Sequence, residues 1–140
     1  MSLAAIQKKA QQKSAIVIIY GPSGLGKTTL AVGSKNPIVL QTEEGLGILT
    51  NNREIPHFPL AKDYDTFYGY LKSLVDADEL DYSTLVVDSL DWLEPLIFAK
   101  TCEAHKQASI ESFGYGRGYV EALKYWREIL DMVNRLRNEK

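Results

Sequence analysis

The chain has 140 residues, 45% of them hydrophobic and 24% charged, with a formal net charge of −2. That suits one folded domain with a real core, and the near balance of charge excludes nucleic acid or an anionic membrane as a partner of the whole surface, leaving only local contacts. No apolar run approaches the ~20 residues of a membrane span, residues 7–13 are too polar for the core of a signal peptide, and the lone Cys102 makes neither an internal disulfide nor a metal cluster.

Residues 1–14 read as a polar, weakly helical lead-in, and the domain runs from 15 to 140. Ala15-Ile16-Val17-Ile18-Ile19-Tyr20 is apolar and β-branched on both faces, the pattern of a central parallel strand. It drops into Gly21-Pro22-Ser23-Gly24-Leu25-Gly26-Lys27-Thr28, which meets G-x-x-x-x-G-K-[ST] at every fixed position, with a helical pattern opening at Thr29 and ending at Gly33-Ser34. Glycines let the backbone turn tightly and bring N–H groups to an anion, and the helix start points its positive end the same way. In such a loop Lys27 places a point charge on the β/γ-phosphates and Thr28 gives a hydroxyl to Mg²⁺. Gly21, Pro22, Ser23, Gly24, Leu25, Gly26, Lys27, Thr28 and Thr29 are therefore the nucleotide-binding residues.

Ile38-Val39-Leu40-Gln41 is the second strand, followed by the loop Thr42-Glu43-Glu44-Gly45-Leu46-Gly47. Ile55-Pro56-His57-Phe58-Pro59, with two prolines, is a short edge strand or an extended segment. A helix follows with Asp65 as its cap and Phe67, Tyr70, Leu71 and Leu74 on one face. Leu85-Val86-Val87-Asp88 is a third buried strand. A helix then starts near Asp91 to Pro95, proline being tolerated in its first turn, and runs to about Lys106. Residues 107–118 hold Gly114, Gly116 and Gly118 and read as a break. The last helix covers about Tyr119 to Arg137, with Ala122, Trp126, Ile129, Val133 and Leu136 inward and Lys124/Glu128 and Asp131/Arg135 as exposed pairs. His57 and His105 are isolated and read as incidental. Strands alternating with helices give an α/β fold with a mostly parallel sheet flanked by helices.

Beside the phosphate loop, a nucleotide hydrolase needs an acid that holds Mg²⁺ at the C-terminal end of a neighbouring strand, and Asp88 stands there. It also needs a group to orient or deprotonate the attacking water. Ser89 follows Asp88 where many ATPases carry Glu, so this role falls to Glu43 or Glu44, just past the second strand, with Gln41 at its end.

The phosphate loop, the acid loop after the next strand and Ser83-Thr84-Leu85-Val86-Val87-Asp88-Ser89-Leu90 together resemble RecA-like P-loop ATPases. The small phage-encoded RecA-like nucleotide-binding proteins associated with single-strand annealing and recombination are the most similar group. The resemblance implies ATP and Mg²⁺ as cofactors, Asp88 as the Mg²⁺-associated acid and Glu43 as the catalytic glutamate, with Glu44 as the adjacent alternative. It also implies a homo-oligomer in the cytoplasm of a bacterial host. A first DNA-binding loop falls at 105–119, where Arg117 meets phosphate and Tyr115 and Tyr119 stack bases of single-stranded DNA. RecA-like proteins carry a further core strand between the phosphate-loop strand and the Asp88 strand, and the resemblance places it after Lys140. The expectation is a piece of a longer protein with C-terminal core strands missing. Its two central strands then close up, take a strand from another chain, or leave an exposed edge. Two other readings stand beside this one. One is a small phosphotransferase with Arg53 or Arg117 in a lid; the other is a nucleotide-binding interaction module without turnover.

Overall fold

The computed structural model describes residues 13–48 and 54–140. Its elements are α1 (Lys27–Val32), β1 (Pro37–Gln41), α2 (Tyr64–Asp76), β2 (Thr84–Asp88), α3 (Leu90–His105) and α4 (Arg117–Glu139). Single 3-10 turns occur at Leu46–Ile48 and Ile110–Phe113. The arrangement is α/β, as expected, with a parallel sheet of two strands.

β1 and β2 pair in parallel from Pro37 opposite Thr84 to Gln41 opposite Asp88. Alternate side chains of a strand point to opposite faces, and here both faces are covered. Ile38 and Leu40, with Leu85 and Val87 beside them, point into the main core with α2, α3 and α4. Val39 and Val86 point the other way, against Val32 of α1, Leu46 and Ile55. Covering on both faces explains why these strands read as unbroken apolar runs. The outer edge of β1 carries a single bridge, Val39 to His57. The Val39 N–H donates to the Pro56 carbonyl at 3.0 Å and the Phe58 N–H to the Val39 carbonyl at 2.9 Å. Pro56 and Pro59 have no N–H to extend it.

The main departure lies at residues 15–20, which form no strand. Val17, Ile18 and Tyr20 are 74%, 72% and 91% exposed. The run is β-prone in composition, yet a strand exists only with a ladder partner. Among the described residues no strand lies against it, nor against the edge of β2 that faces away from β1. Of the outcomes expected there, direct pairing of the 15–20 run with β2 is not seen among the described residues.

Smaller corrections follow from local chemistry. Asp63, not Asp65, caps α2: its carboxylate accepts the Thr66 N–H at 2.7 Å. Asp65 instead lies in the first turn and accepts from Lys100 of α3 at 2.6 Å. α3 begins at Leu90, so Pro95 falls past its first turn. α4 begins at Arg117, so Gly118 is helical. A Cβ at Gly118 would lie 2.2 Å from the Ile110 carbonyl oxygen, and the missing side chain lets the 3-10 turn seat directly on the helix. The chain reverses into α4 through Gly114, Tyr115 and Gly116, all at positive φ. Arg135 pairs with Glu139 at 3.3 Å rather than with Asp131. Lys124 and Glu128 lie 4.0 Å apart as expected.

α4 packs against both α2 and α3. Its buried line is Gly118, Ala122, Tyr125, Ile129 and Met132, with Trp126, Val133 and Leu136 half-buried beside it. Tyr64 of α2 is buried against Tyr125 at a ring distance of 4.9 Å, and its hydroxyl donates to Glu128 at 2.7 Å. Burial, followed by that carboxylate, pushes the Tyr64 phenol far above its ordinary pKa. At its far end α4 reaches the start of the domain, where the Arg137 guanidinium donates to the Ser14 carbonyl. The Lys140 ammonium donates to the Ala77 carbonyl just past α2.

Candidate nucleotide site

The glycine-rich turn adopts the backbone its residues allow. Gly24 and Gly26 have φ of 83° and 82°, a region where a side chain is strained. Gly26 is the N-cap of α1, and the Leu30 N–H donates to its carbonyl at 2.9 Å. Gly33 closes the helix with its N–H on the Thr29 and Leu30 carbonyls, which matches the stop expected at Gly33-Ser34. The Lys27 ammonium folds back over the turn and donates to the carbonyls of Gly21 at 2.7 Å and Pro22 at 2.9 Å. The cation thus sits at the mouth of the loop, with Pro22, Ser23, Leu25 and Thr29 exposed around it.

Two residues far apart in sequence meet here. The Thr28 hydroxyl donates to Oδ2 of Asp88 at 2.8 Å in a partly buried contact. α1 brings Thr28 and β2 brings Asp88, its last residue. A hydroxyl and a carboxylate oxygen are hard donors of the kind Mg²⁺ accepts, and Mg²⁺ usually takes only one or two protein ligands beside phosphate and water. The donor set fits that cation. Ser89 adds a buried hydroxyl without a hydrogen-bond partner immediately after Asp88. Among the described residues no three His, Cys, Asp or Glu side chains gather into a cage.

The loop after β1 is drawn to the same strand end. The Thr42 N–H donates to the Asp88 carbonyl at 2.8 Å. Its hydroxyl donates to the Ser89 carbonyl at 2.7 Å and accepts the Ser89 N–H at 3.0 Å. Glu43 follows directly and is half-buried, while Glu44 is exposed. Both lie at the C-terminal rim of the parallel pair, where ligand crevices of open α/β sheets form. Gln41 turns elsewhere, its amide donating to the Phe58 carbonyl at 3.1 Å. Thr42 escaped sequence reasoning, since a threonine after a strand carries no motif.

The three aromatic and basic residues assigned to a DNA loop lie at the start of α4. Tyr115 is fully exposed in the turn. Arg117 and Tyr119 belong to the helix itself. The Tyr119 hydroxyl donates to Glu111, and its ring meets Phe98 edge-on at 5.4 Å. Arg53 lies outside the described residues. His57 hydrogen-bonds the Ile55 carbonyl and His105 packs against Phe113, both remote in sequence from the Asp88 cluster.

Among the described residues no helix is long and apolar enough to cross a membrane. Comparison with known proteins gives a family model, the AAA domain, matching residues 13–139. The chain is 26% identical over 121 residues to the SPbeta prophage-derived uncharacterized protein YorG of Bacillus subtilis (strain 168). That match covers 86% of this chain and 36% of the relative, so the chain spans about a third of the length of the curated relative it matches. No solved structure gives a significant match. With the family model covering nearly the whole chain and a phosphate loop in place, the chain belongs to the AAA domain family, as a P-loop nucleotide-binding domain of the ATPase class.

Proposed function

We propose that this domain binds and hydrolyses ATP as the RecA-like module of a phage or prophage protein acting in DNA recombination or single-strand annealing. The observation that carries the nucleotide chemistry is the 2.8 Å contact between Thr28 and Asp88, which places the loop hydroxyl and the strand-end acid at one point. The prophage origin of a relative supports the phage setting.

In this reading the backbone N–H groups of Gly21 to Thr28 cradle the phosphates. Lys27 leaves its two carbonyls for the β/γ-phosphate oxygens. Thr28 and Asp88 would hold Mg²⁺, and the ion would supply positive charge against those oxygens. Glu43 orients the attacking water and takes its proton, the bond between that water and the γ-phosphorus forming as the β-γ bridge opens. Glu44, the alternative base, is more exposed than Glu43. Tyr115 and Arg117 offer an exposed ring and a cation to single-stranded DNA. Tyr119, tied to Glu111 and Phe98, supports that corner rather than stacking on a base. Self-association follows from the uncovered run at 15–20, and the cytoplasm of a bacterial host supplies the ATP.

ATP turnover with and without single-stranded DNA, in wild type, Lys27→Ala and Glu43→Gln, tests this. Turnover raised by DNA and lost in Lys27→Ala is expected, with Glu43→Gln slowed by about 10²–10⁴-fold as for loss of a general base. Full turnover in Glu43→Gln removes Glu43 from the mechanism. Tight ATP binding with no turnover in any form favours a non-hydrolysing nucleotide-binding module instead.

A further inference from the structure

We propose that Thr42 is a positioning residue for Asp88, fixing through three hydrogen bonds the strand end that carries the acid; this rests on the reading of Asp88 as the Mg²⁺-associated carboxylate. The ladder between β1 and β2 ends at Gln41 opposite Asp88. Beyond that point, where strands ordinarily diverge, Thr42 holds the two chains together. Its N–H donates to the Asp88 carbonyl at 2.8 Å. Its hydroxyl donates to the Ser89 carbonyl at 2.7 Å and accepts from the Ser89 N–H at 3.0 Å. One residue thus engages both peptide groups that flank Ser89.

The contacts are sheltered, Thr42 being 8% exposed. In such surroundings a hydrogen-bonding group left without its partner is costly, so the clamp is strongly preferred over its alternatives. The Ser89 side chain does not take over: it makes no cap hydrogen bond to α3, and its hydroxyl has no partner. The Ser89 carbonyl also accepts the Leu93 N–H at 3.2 Å, so the clamp joins β1 to the first turn of α3. Asp88, between the clamp and Thr28, is aimed at the phosphate loop from one side and anchored from the other. Thr42 also precedes Glu43, so the same clamp fixes the backbone of that residue relative to Asp88. A hydroxyl donates to the Ser89 carbonyl and accepts the Ser89 N–H through a single atom. Serine retains that ability; valine has the shape of threonine without it.

The test measures affinity for a non-hydrolysable ATP analogue with Mg²⁺ and with EDTA, in wild type, Thr42→Val, Thr42→Ser and Asp88→Asn, alongside amide hydrogen exchange of Ser89 in the ligand-free chain. Mg²⁺ is expected to tighten binding in wild type and not in Asp88→Asn. Thr42→Val loses ~10–100-fold of that Mg²⁺-dependent gain, the range for partners that orient metal ligands. Its affinity in EDTA stays at the wild-type level, and its Ser89 amide exchanges faster. Thr42→Ser restores both. Wild-type Mg²⁺ dependence in Thr42→Val overturns the positioning role alone, and so does an equal loss with and without Mg²⁺. A wild-type chain in which Mg²⁺ adds nothing overturns the reading of Asp88 itself, and the positioning role with it.

Discussion

Asp63 shows how much one carboxylate organises. It accepts the Thr66 N–H and the Thr66 hydroxyl at the head of α2. The Thr66 backbone bond is the first cause of a pKa held below the ordinary aspartate value. A carboxylate depressed in the folded state contributes stability that is present above its unfolded pKa and is lost as pH falls through its folded pKa. Asp63→Asn keeps a capping acceptor but does not titrate. Its stability deficit relative to wild type, measured by urea unfolding, is therefore expected to be widest near neutral pH and to shrink as pH falls below the ordinary aspartate range. A deficit that is flat with pH would show that the charge contributes nothing. Sequence pattern placed the start of this helix within two residues but chose Asp65. Both aspartates suit an N-cap; Asp63 takes the Thr66 N–H, while Asp65 is drawn to Lys100 of α3. The Arg135 pairing went the same way, with acids four residues off on either side and the one toward the C-terminus chosen.

Elements were legible where their signal is local. The period of α2 and the phosphate loop with its helix emerge from residues close in sequence, as do the apolar strands ending at Gln41 and Asp88. Elements whose form depends on distant partners were not. The start of α4 is one case: Gly118 reads as a breaker from propensity, yet the Ile110 carbonyl lies where its Cβ would stand. Gly118→Ala is expected to lower stability by about 1–3 kcal/mol, the range for an overpacked contact, measured by thermal or urea unfolding. A neutral result would mean that the 3-10 turn at Ile110–Phe113 moves away at no cost. The candidate site divides likewise. Lys27, Thr28 and Asp88 follow from motif and strand end, while the Thr42 clamp exists only because β1 and β2 lie in register.

The whole molecule is asymmetric in how it is covered. The face of the sheet with Ile38 and Leu40 is sealed by three helices. The run at 15–20, the outer edge of β2, and Val120, Leu123 and Leu130 of α4 are left open. An apolar, β-prone run with free backbone groups is a template for pairing with another chain. The 140-residue chain is expected to self-associate with concentration in sedimentation velocity, and Val17→Lys with Ile18→Lys to return it toward monomer. A monomer at all concentrations in wild type would exclude the run as an association surface. The apolar pattern at 15–20 reads as a buried strand, and the structure holds no strand there and leaves the run exposed. Preference is written in the run, but fulfilment requires an edge elsewhere, which is why this segment departed most from expectation.

That uncovered run bears on what an ATP affinity would measure. Residues 15–26 connect the Arg137–Ser14 contact to the Thr28–Asp88 contact without a ladder between them. Confining backbone costs on the order of 1–2 kcal/mol per residue in conformational entropy. A ligand gripping Gly21 to Thr28 must meet whatever part of that cost the body of the domain leaves uncovered. The observed dissociation constant would then report the ordering of the leading segment as well as the grip on phosphate. Two chains with identical loops would differ in affinity simply because one has a neighbour for Ile16 to Tyr20.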